Sequence, residues 1–245
     1  MVKPYEIWIG GNYHMSGGIR ALHVLKQELL NRGMQAWMKY EPIFNTDCIG
    51  VYPEIVVDNP EEYFNVVRWK LNKANLPDDG LTYAWESGMG DHPLLTVNII
   101  EPDLWKPRRV HRRGVAYWVG KGVRDDRFIP SGAEEINRNN YMLRDQLAER
   151  IGSLDYLISF DPFTAVNLEA VCAGTPVLIR SDDPKWSRKE VEKHRWTPFG
   201  VAWSMEELPE ARATVHLAYD YYQSLLPVFA ERIDQFVQQT QERFN

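Results

Sequence analysis

The chain has 245 residues, 44% of them hydrophobic and 25% charged, in the proportions of an ordinary globular protein rather than a disordered or fibrous one. No apolar run approaches the roughly 18 residues that a membrane-spanning helix needs, and the first ten residues lack the apolar core of a signal peptide. The whole net charge of −6 lies on residues 1–105, which carry 8 basic and 14 acidic side chains. Residues 106–245 carry 20 of each. This asymmetry predicts two lobes with different roles, and the two widely separated cysteines fit a reducing, cytoplasmic location.

The first hundred residues alternate between predicted strands and helices. A Gly-rich turn from Gly10 to Gly18 leads into a helix over Gly17–Arg32, for which Ser16 is the predicted N-cap. A second helix is predicted over Glu61–Asn72, because Phe64, Val67 and Leu71 recur at helical spacing. Strands are predicted at Tyr5–Ile9, Gln35–Met38, Cys48–Tyr52, Leu81–Trp85 and Leu94–Val97. Alternation of this kind indicates an open α/β sheet.

A break follows at Glu101–Arg113, which contains two prolines and which we interpret as the connection between the lobes. Beyond it we predict helices over Tyr141–Ile151 and Ala165–Ala173, and strands at Gly114–Val119, Leu154–Ser159, Pro176–Ile179 and Gly200–Trp203. From Glu206 onward the chain is predicted to be helical, with a break or kink at Pro227. The sequence thus predicts two α/β domains, over residues 1–105 and 106–225. The C-terminal residues 226–245 are predicted to form a helix that can pack back on the first lobe.

The most informative segment is DYLISFDPFTAVNLEAVCAGTPVLIR, from Asp155 to Arg180. Its pattern is typical of a strand, a short polar loop, a helix that ends at Gly174 in a left-handed turn, and a second buried strand. Two acids, Asp161 in the loop and Glu169 in the helix, are thereby placed at the ligand-binding end of a parallel sheet. Their chemistry alone is compatible with ligand binding and also with mere capping and solvation of the helix.

Within this segment, FDPFTAVNLEAVCAGTPVLI resembles the donor-binding motif of retaining GT-B glycosyltransferases, in which two acids lie eight positions apart before a small-residue helix and Gly-x-Pro-Val. Asp161 stands where the family usually has Glu, and Glu169 is the second acid. The segments YPEIVVDNPEEYFNVVRWKLN and SGGIRALHVLKQELLNRG extend the resemblance toward enzymes of bacterial surface-polysaccharide synthesis. The resemblance implies two Rossmann-like lobes facing a cleft, in a chain shorter than is usual for the family.

The resemblance also implies a nucleoside-diphosphate sugar as co-substrate, with no other cofactor and no essential metal. Carboxylates accept strong hydrogen bonds from hydroxyl groups, so Glu169 is expected to hold the ribose and Asp161 the donor sugar. Backbone amides at Thr164 and Ala165 open the helix and are expected to face the phosphates. Lys121, in VGKG after a predicted strand, is implied as the cation that neutralises the departing diphosphate. Family members usually have an Arg a few residues before this Lys; none closely precedes Lys121 here, and Arg124 or Arg127 is the candidate to take its place beside Lys121.

The candidates in the first lobe are less specific. Gly17 and Gly18 are predicted to let the backbone approach the donor closely, although their cluster fits neither the dinucleotide-binding nor the P-loop pattern. If the enzyme inverts the sugar's configuration, a general base is needed, and the candidates are His14, Asp91 and Glu54.

The basic run between the lobes has two interpretations. One is a solvated hinge, and the other is contact with a polyanion such as an acidic glycan, a phospholipid surface or DNA. The acidic first lobe argues against an extensive nucleic-acid surface but does not exclude contact with nucleic acid over a small area. The side chains concerned are Lys106, Arg108, Arg109, Arg112 and Arg113.

Together these patterns favour a glycosyltransferase that moves a hexosyl or pentosyl group from a nucleoside diphosphate to a hydroxyl of a glycan or of a modified DNA base. Retention of configuration is the expected outcome. Two alternatives stay open, a non-catalytic nucleotide- or sugar-binding module and a two-lobed sugar epimerase.

Overall fold

The structure is a computed structural model that describes residues 2–9, 16–39, 47–108, 110–137, 143–193 and 198–245. Contacts divide the chain into two compact units, one comprising Met1–Ile99 with Leu226–Asn245 and the other Ile100–Leu225. Each unit is built on its own five-stranded sheet, and every strand pair in both sheets is parallel. The predicted α/β class with two parallel sheets is therefore confirmed.

The first unit contains a sheet with the strands β1 (Tyr5–Ile7), β2 (Ala36–Met38), β3 (Ile49–Pro53), β4 (Asn65–Lys70) and β5 (Leu81–Ala84). Their order across the sheet is β2-β1-β3-β4-β5. Helix α1 (Gly17–Asn31) follows β1 and buries an apolar face made by Ala21, Leu22, Leu25 and Leu29. The segment at Leu94, predicted to be a strand, forms only an isolated bridge to Ala84.

The predicted helix over Glu61–Asn72 is wrong, because residues 65–70 form the inner strand β4. The four consecutive residues from Val66 to Trp69 are all buried. An uninterrupted buried run with adjacent valines fits a parallel strand covered on both faces, whereas a helix would turn part of the run toward solvent. Phe64, which the helical pattern assigned to the buried face, is 91% exposed.

The second unit contains the strands β6 (Val115–Trp118), β7 (Glu134–Glu135), β8 (Tyr156–Ser159), β9 (Val177–Ile179) and β10 (Val201–Ala202). Its helices are α2 (Arg144–Gly152), α3 (Ala165–Cys172), α4 (Arg188–Val191), α5 (Leu208–Thr214) and α6 (Ala218–Ser224). The last helix of the chain, α7 (Leu226–Phe244), belongs to the first unit. Pro227 lies in the first turn of α7, where its missing N–H leaves no hydrogen bond unmade, so the predicted break falls between two helices.

The strand order of the second sheet, β10-β9-β8-β6-β7, places a topological switch beside β6. The chain goes from β6 to β7 on one side and then returns to β8 on the other side. The loops that leave β6 and β8 therefore diverge at the carboxyl ends of these two strands. Ligands of open parallel sheets bind at such points, so this edge is where a site is expected from topology.

None of the helices in the described part of the chain has the length and apolarity that crossing a bilayer requires.

Candidate functional site

Two loops meet at the carboxyl ends of β6 and β8. The backbone N–H of Lys121, in the loop after β6, donates a hydrogen bond to Asp161 Oδ2 in the loop after β8, at 3.0 Å. A Cβ on Gly122 would stand 1.8 Å from the carbonyl oxygen of Phe160, and one on Gly120, whose φ is +56°, would stand 2.5 Å from Asp161 Oδ2. Only glycine fits this approach, so the two glycines hold Lys121 directly beside the Asp161 loop.

Asp161 is a buried acid, with 7% of its surface exposed. Burial raises the pKa of its carboxyl group, and hydrogen bonds from the backbone amides of Lys121 and Phe163 act in the opposite direction. The negative charge of Asp183 adds to the rise of the Asp161 pKa. A buried carboxylate that two amides already orient is a strong acceptor for a ligand hydroxyl.

Helix α3 starts immediately after this loop. Thr164 occupies the N-cap position with extended backbone angles and makes no side-chain cap hydrogen bond, and Ala165 is the first helical residue. The amides of a helix's first turn have no partner within the helix. The preceding residue, Phe163, stacks on Trp186 with the ring centroids 3.9 Å apart and the planes 2° apart. The structure thus places Lys121 beside Asp161, in the loop that leads directly to the N-cap of α3.

A cavity of about 730 Å³ opens at the same edge of the second sheet. Its lining comprises Lys121 and the five residues after it, Phe128, the residues 179–183 that end and follow β9, and Trp203 after β10. Lys121 is therefore at once a lining residue of the cavity and a neighbour of Asp161. Arg127, Asp161 and Glu169 do not line this cavity.

Arg180 is a second cation of the cavity, and it was not among the site residues predicted from the sequence. Its Nη1 donates to the carbonyl oxygen of Trp203 at 3.1 Å, and its guanidinium lies 4.6 Å from the centre of the Phe128 ring. Arg180 directly follows the buried strand β9, so its place at the carboxyl edge of the sheet is a signal that the sequence already contained.

The charges that face the cavity are not equally available to a ligand. Arg124 forms ion pairs with Asp126 and Glu135. In contrast, neither Lys121 nor Arg180 forms an ion pair within the described residues. The cavity therefore presents two cations that a ligand anion can engage without first breaking an ion pair.

Arg127, predicted to supplement Lys121, lies away from the cavity lining. Its side chain is 80% exposed, and its guanidinium pairs with Asp125, whose carboxylate also accepts the Arg127 backbone N–H at 3.0 Å. This short-range pairing stabilises a single 3₁₀ turn over Asp126–Phe128. In this structure Arg180, rather than Arg127, joins Lys121 at the cavity.

Glu169 lies in the interior of the second unit. Its side chain is 1% exposed, and Arg144 Nη2 at the start of α2 donates to Glu169 Oε1 at 2.9 Å. The same guanidinium pairs with Glu101 and lies 5.3 Å from the centre of the buried Trp105 ring. Arg144 therefore already occupies an acceptor position of this Glu169 oxygen.

The first unit holds the remaining candidates. Gly17 and Gly18 are the first two residues of α1, and Ser16 occupies the N-cap position without a side-chain cap hydrogen bond. Asp91 is exposed in a bend after the 3₁₀ helix Ser87–Met89. His14 lies outside the described residues.

Glu54 has a structural contact that the sequence did not indicate. It directly follows β3, and its Oε2 accepts a hydrogen bond at 3.0 Å from the backbone N–H of Leu71, which directly follows β4. Glu54 therefore links the carboxyl ends of two neighbouring strands.

The basic run of the interlobe connection is not a uniform surface patch. Arg112 is half-buried and donates to Thr175 Oγ1 at 2.6 Å and to the carbonyl oxygen of Ala173 at 2.9 Å. A cation at the carboxyl end of α3 is stabilised by the helix dipole, so Arg112 belongs to the fold and the predicted polyanion contact is not supported there. Lys106 pairs with Asp103 at 3.6 Å, Arg108 and Arg113 are exposed, and Arg109 lies outside the described residues.

The described residues include no group of three or more His, Cys, Asp or Glu side chains placed to hold a metal ion. Cys48 and Cys172 are both buried, and burial raises the pKa of each thiol to about 12. Since the thiolate is the reactive form of cysteine, neither side chain is a nucleophile at neutral pH.

The sequence matches no protein-family model and no curated protein. Among solved structures, the chain is similar to AviGT4, a glycosyltransferase involved in avilamycin A biosynthesis, with a TM-score of 0.49 and 11% identity over 99% of this chain and 98% of that one. The glycotransferase of kitacinnamycin aligns with a TM-score of 0.45 and 8% identity over 100% and 96% of the two chains. CalG4, the calicheamicin glycosyltransferase, aligns with a TM-score of 0.38 and 10% identity over 100% and 95%. Similarity at this level does not assign a function to this chain.

Proposed function

We propose that this chain is a GT-B-type glycosyltransferase whose second unit binds a nucleoside-diphosphate sugar at the carboxyl ends of β6, β8 and β9. The observation that carries the proposal is the placement of Lys121, which lines the cavity while its backbone holds the buried acid Asp161. A cation beside a hydrogen-bond acceptor matches a ligand that joins a diphosphate to a sugar, because the phosphates are anionic and the sugar hydroxyls are donors.

In the proposed reaction the bond between the anomeric carbon and the diphosphate oxygen breaks, and a bond from that carbon to the acceptor oxygen forms on the same face. The departing diphosphate takes up the acceptor proton, so no side-chain base is required. Lys121, Arg180 and the first amides of α3 stabilise the negative charge that develops on the leaving group. Asp161 orients the sugar through its hydroxyls. For the inverting alternative, a base from the set His14, Asp91 and Glu54 is required.

Glu169 is proposed to hold the ribose hydroxyls of the donor, as the motif implies. In this role the nucleoside displaces Arg144, which keeps Glu101 as its second carboxylate. The acceptor is proposed to be a hydroxyl of a glycan. A DNA acceptor is less well supported, because Arg112, one of the cations predicted to contact DNA, donates instead to the end of α3.

The direct test is a thermal-shift panel of nucleoside diphosphates and their sugars, followed by product analysis with and without acceptor. A ligand that binds only the folded state raises the apparent stability, by about 2.7 kcal/mol at a hundred times its dissociation constant. Binding without turnover favours the non-catalytic module, and a changed sugar on the same nucleotide favours the epimerase. A panel in which no nucleotide raises the melting temperature contradicts the donor site.

Transfer is expected to continue at an unchanged rate in excess chelator, because protein cations and helix amides neutralise the diphosphate in the proposed site. The measurement is the initial rate with and without EDTA, after dialysis against the chelator. A rate that vanishes in EDTA and returns with a divalent cation contradicts the metal-independent mechanism.

The pH dependence of transfer is expected to report the titration of Asp161. Its pKa is raised by burial, so the carboxylate that accepts the sugar hydroxyls forms above the usual range of an aspartate. The acid limb of kcat/KM should therefore lie above the usual titration range of an aspartate, and Asp161→Asn should remove that limb and lower kcat/KM at neutral pH about tenfold or more.

The stability of Asp161→Asn supplies the control for this pH dependence. A raised folded-state pKa means that Asp161 favours folding only while it is protonated, and this contribution is lost as the pH rises through that pKa. The asparagine variant should gain stability relative to the wild type as the pH is raised from 4 to 7. An acid limb that persists in the variant assigns the titration to another group.

A further inference from the structure

We propose that Asn167 is a positioning residue that sets the Asp161 loop and thereby the protein's grip on the sugar half of the donor. The inference rests on the proposed function, since it concerns what Asp161 does there. Asn167 itself touches no part of the proposed donor; it acts through the loop.

Asn167 is an unusual side chain for its surroundings. It is 1% exposed in α3, where its neighbours Val166 and Leu168 are buried apolar residues. Burying an amide costs free energy unless its polar atoms are hydrogen-bonded. Asn167 Nδ2 donates to the carbonyl oxygen of Asp161 at 3.0 Å and approaches that of Pro162 at 3.4 Å. The amide group is thus directed at the loop that carries the acid.

A second side chain converges on the same backbone oxygen. Ser159, the last residue of β8, donates through Oγ to the carbonyl oxygen of Asp161 at 2.9 Å. The carboxylate of Asp161 is held separately by the backbone N–H of Lys121. The acid is therefore restrained at its backbone by a strand and a helix and at its side chain by the neighbouring loop, which carries Lys121.

The other polar atom of Asn167 argues against a role in stability alone. Asn167 Oδ1 is buried and has no hydrogen-bond partner among the described residues. A buried polar atom without a partner costs about 1–3 kcal/mol, and a leucine, which has the same number of side-chain heavy atoms and no polar atom, would avoid that cost. An asparagine at this position is consequently a poor choice for packing and a good one for holding the loop.

The test is Asn167→Leu, compared with the wild type by nucleoside-diphosphate affinity, nucleotide-sugar affinity and transfer kinetics. We expect the melting temperature and the dissociation constant of the nucleoside diphosphate to stay close to wild type. Transfer from the nucleotide sugar should fall about 10- to 100-fold in kcat/KM, since a shift of the order of 1 Å in a reacting group has such an effect. The sugar-dependent part of donor affinity should weaken in parallel.

Ser159→Ala acts on the same carbonyl oxygen and keeps the inference testable if Asn167→Leu folds poorly. Its loss should be in the same direction, and the two losses should be less than additive in the double variant, because both side chains restrain one atom. Thr175→Val is the matched control. It also removes a buried polar side chain next to α3, but one that bonds Ile151 and Arg112, and should leave the kinetics of transfer unchanged.

The possible failures are distinguishable. If the wild type transfers sugar and both Asn167→Leu and Ser159→Ala transfer it equally well, this inference is overturned while the proposed function stands. Equal weakening of nucleoside-diphosphate and nucleotide-sugar binding also overturns it, since that result indicates general disruption of the site. A wild type that neither binds nor turns over any nucleotide sugar overturns the proposed function and this inference with it.

Discussion

Replacing Lys121 by methionine is expected to lower kcat/KM for sugar transfer by about 10²- to 10³-fold, the usual cost of removing one preorganised group from a developing negative charge. The side chain lines the cavity and forms no ion pair within the described residues, so its charge is available to the diphosphate. The fold should persist, because the bond that holds Asp161 comes from the Lys121 backbone N–H and not from the side chain. Steady-state kinetics and a melting curve measure the two effects separately.

The matched control is Lys189→Met, since Lys189 is an exposed lysine of the same unit that does not line the cavity. It loses the same charge and should transfer sugar at the wild-type rate. Arg180→Met is expected to resemble Lys121→Met in direction, with the additional loss of the hydrogen bond to Trp203. If Lys121→Met and Lys189→Met have equal kcat/KM, the cavity is not the diphosphate site.

Replacing Arg144 by methionine is expected to lower the free energy of unfolding by about 3 kcal/mol, in the range found when one member of a buried ion pair is removed. Glu169 is almost fully buried, and the variant removes the guanidinium that neutralises it. Arg144 also packs over Trp105 and bonds Glu101, so the start of the second unit should loosen as well. Urea denaturation followed by circular dichroism measures the change.

The double variant Arg144→Met, Glu169→Leu separates charge from packing. It should recover much of the lost stability, because replacing both members of a buried ion pair by apolar residues is often close to neutral. Arg150→Met is the control for a more exposed pair: Arg150 bonds the partly exposed Glu134, and its loss should cost about 1 kcal/mol or less. A single variant as stable as Arg150→Met would show that Arg144 does not stabilise the buried Glu169.

The same double variant tests the ribose assignment. If Glu169 holds the ribose, the stable double variant should bind nucleoside diphosphates about tenfold more weakly than the wild type, the cost of a hydrogen bond to a charged group. Wild-type affinity in a stably folded double variant would restrict Glu169 to its structural pairing with Arg144.

The segment from Asp155 to Arg180 was predictable nearly residue by residue. Its strand, loop, helix and second strand appear as β8, the Asp161 loop, α3 and β9, and Gly174 has the predicted left-handed φ of +81°. Prediction succeeded there because each signal is local: a buried apolar run, a turn, and a glycine at a helix end. The C-terminal break at Pro227 was predictable for the same reason.

The segment Glu61–Asn72 shows where local patterns fail. Apolar residues at Phe64, Val67 and Leu71 satisfy a helical period, yet β4 forms there because it lies between β3 and β5 in the sheet. The spacing of three apolar residues within one segment gives no information about which other strands will pair with that segment. Arg68 is buried inside the sheet, paired with Asp79 and bonded to two loop carbonyl oxygens, and these partners lie 10 to 12 positions away, outside the segment itself.

The order of residues was sufficient to place Lys121, Asp161 and the start of α3 at one edge of a parallel sheet, because strand ends and glycine turns follow from short-range sterics and hydrophobic patterning. It was not sufficient to show that Arg144 covers Glu169, that Arg180 replaces Arg127 at the cavity, or that Asn167 and Ser159 converge on one carbonyl oxygen. The contacts join residues 2, 6 and 25 positions apart, and the cavity brings Lys121 and Arg180 together from different loops. Such relations are determined only when the strands and helices that carry the side chains are assembled.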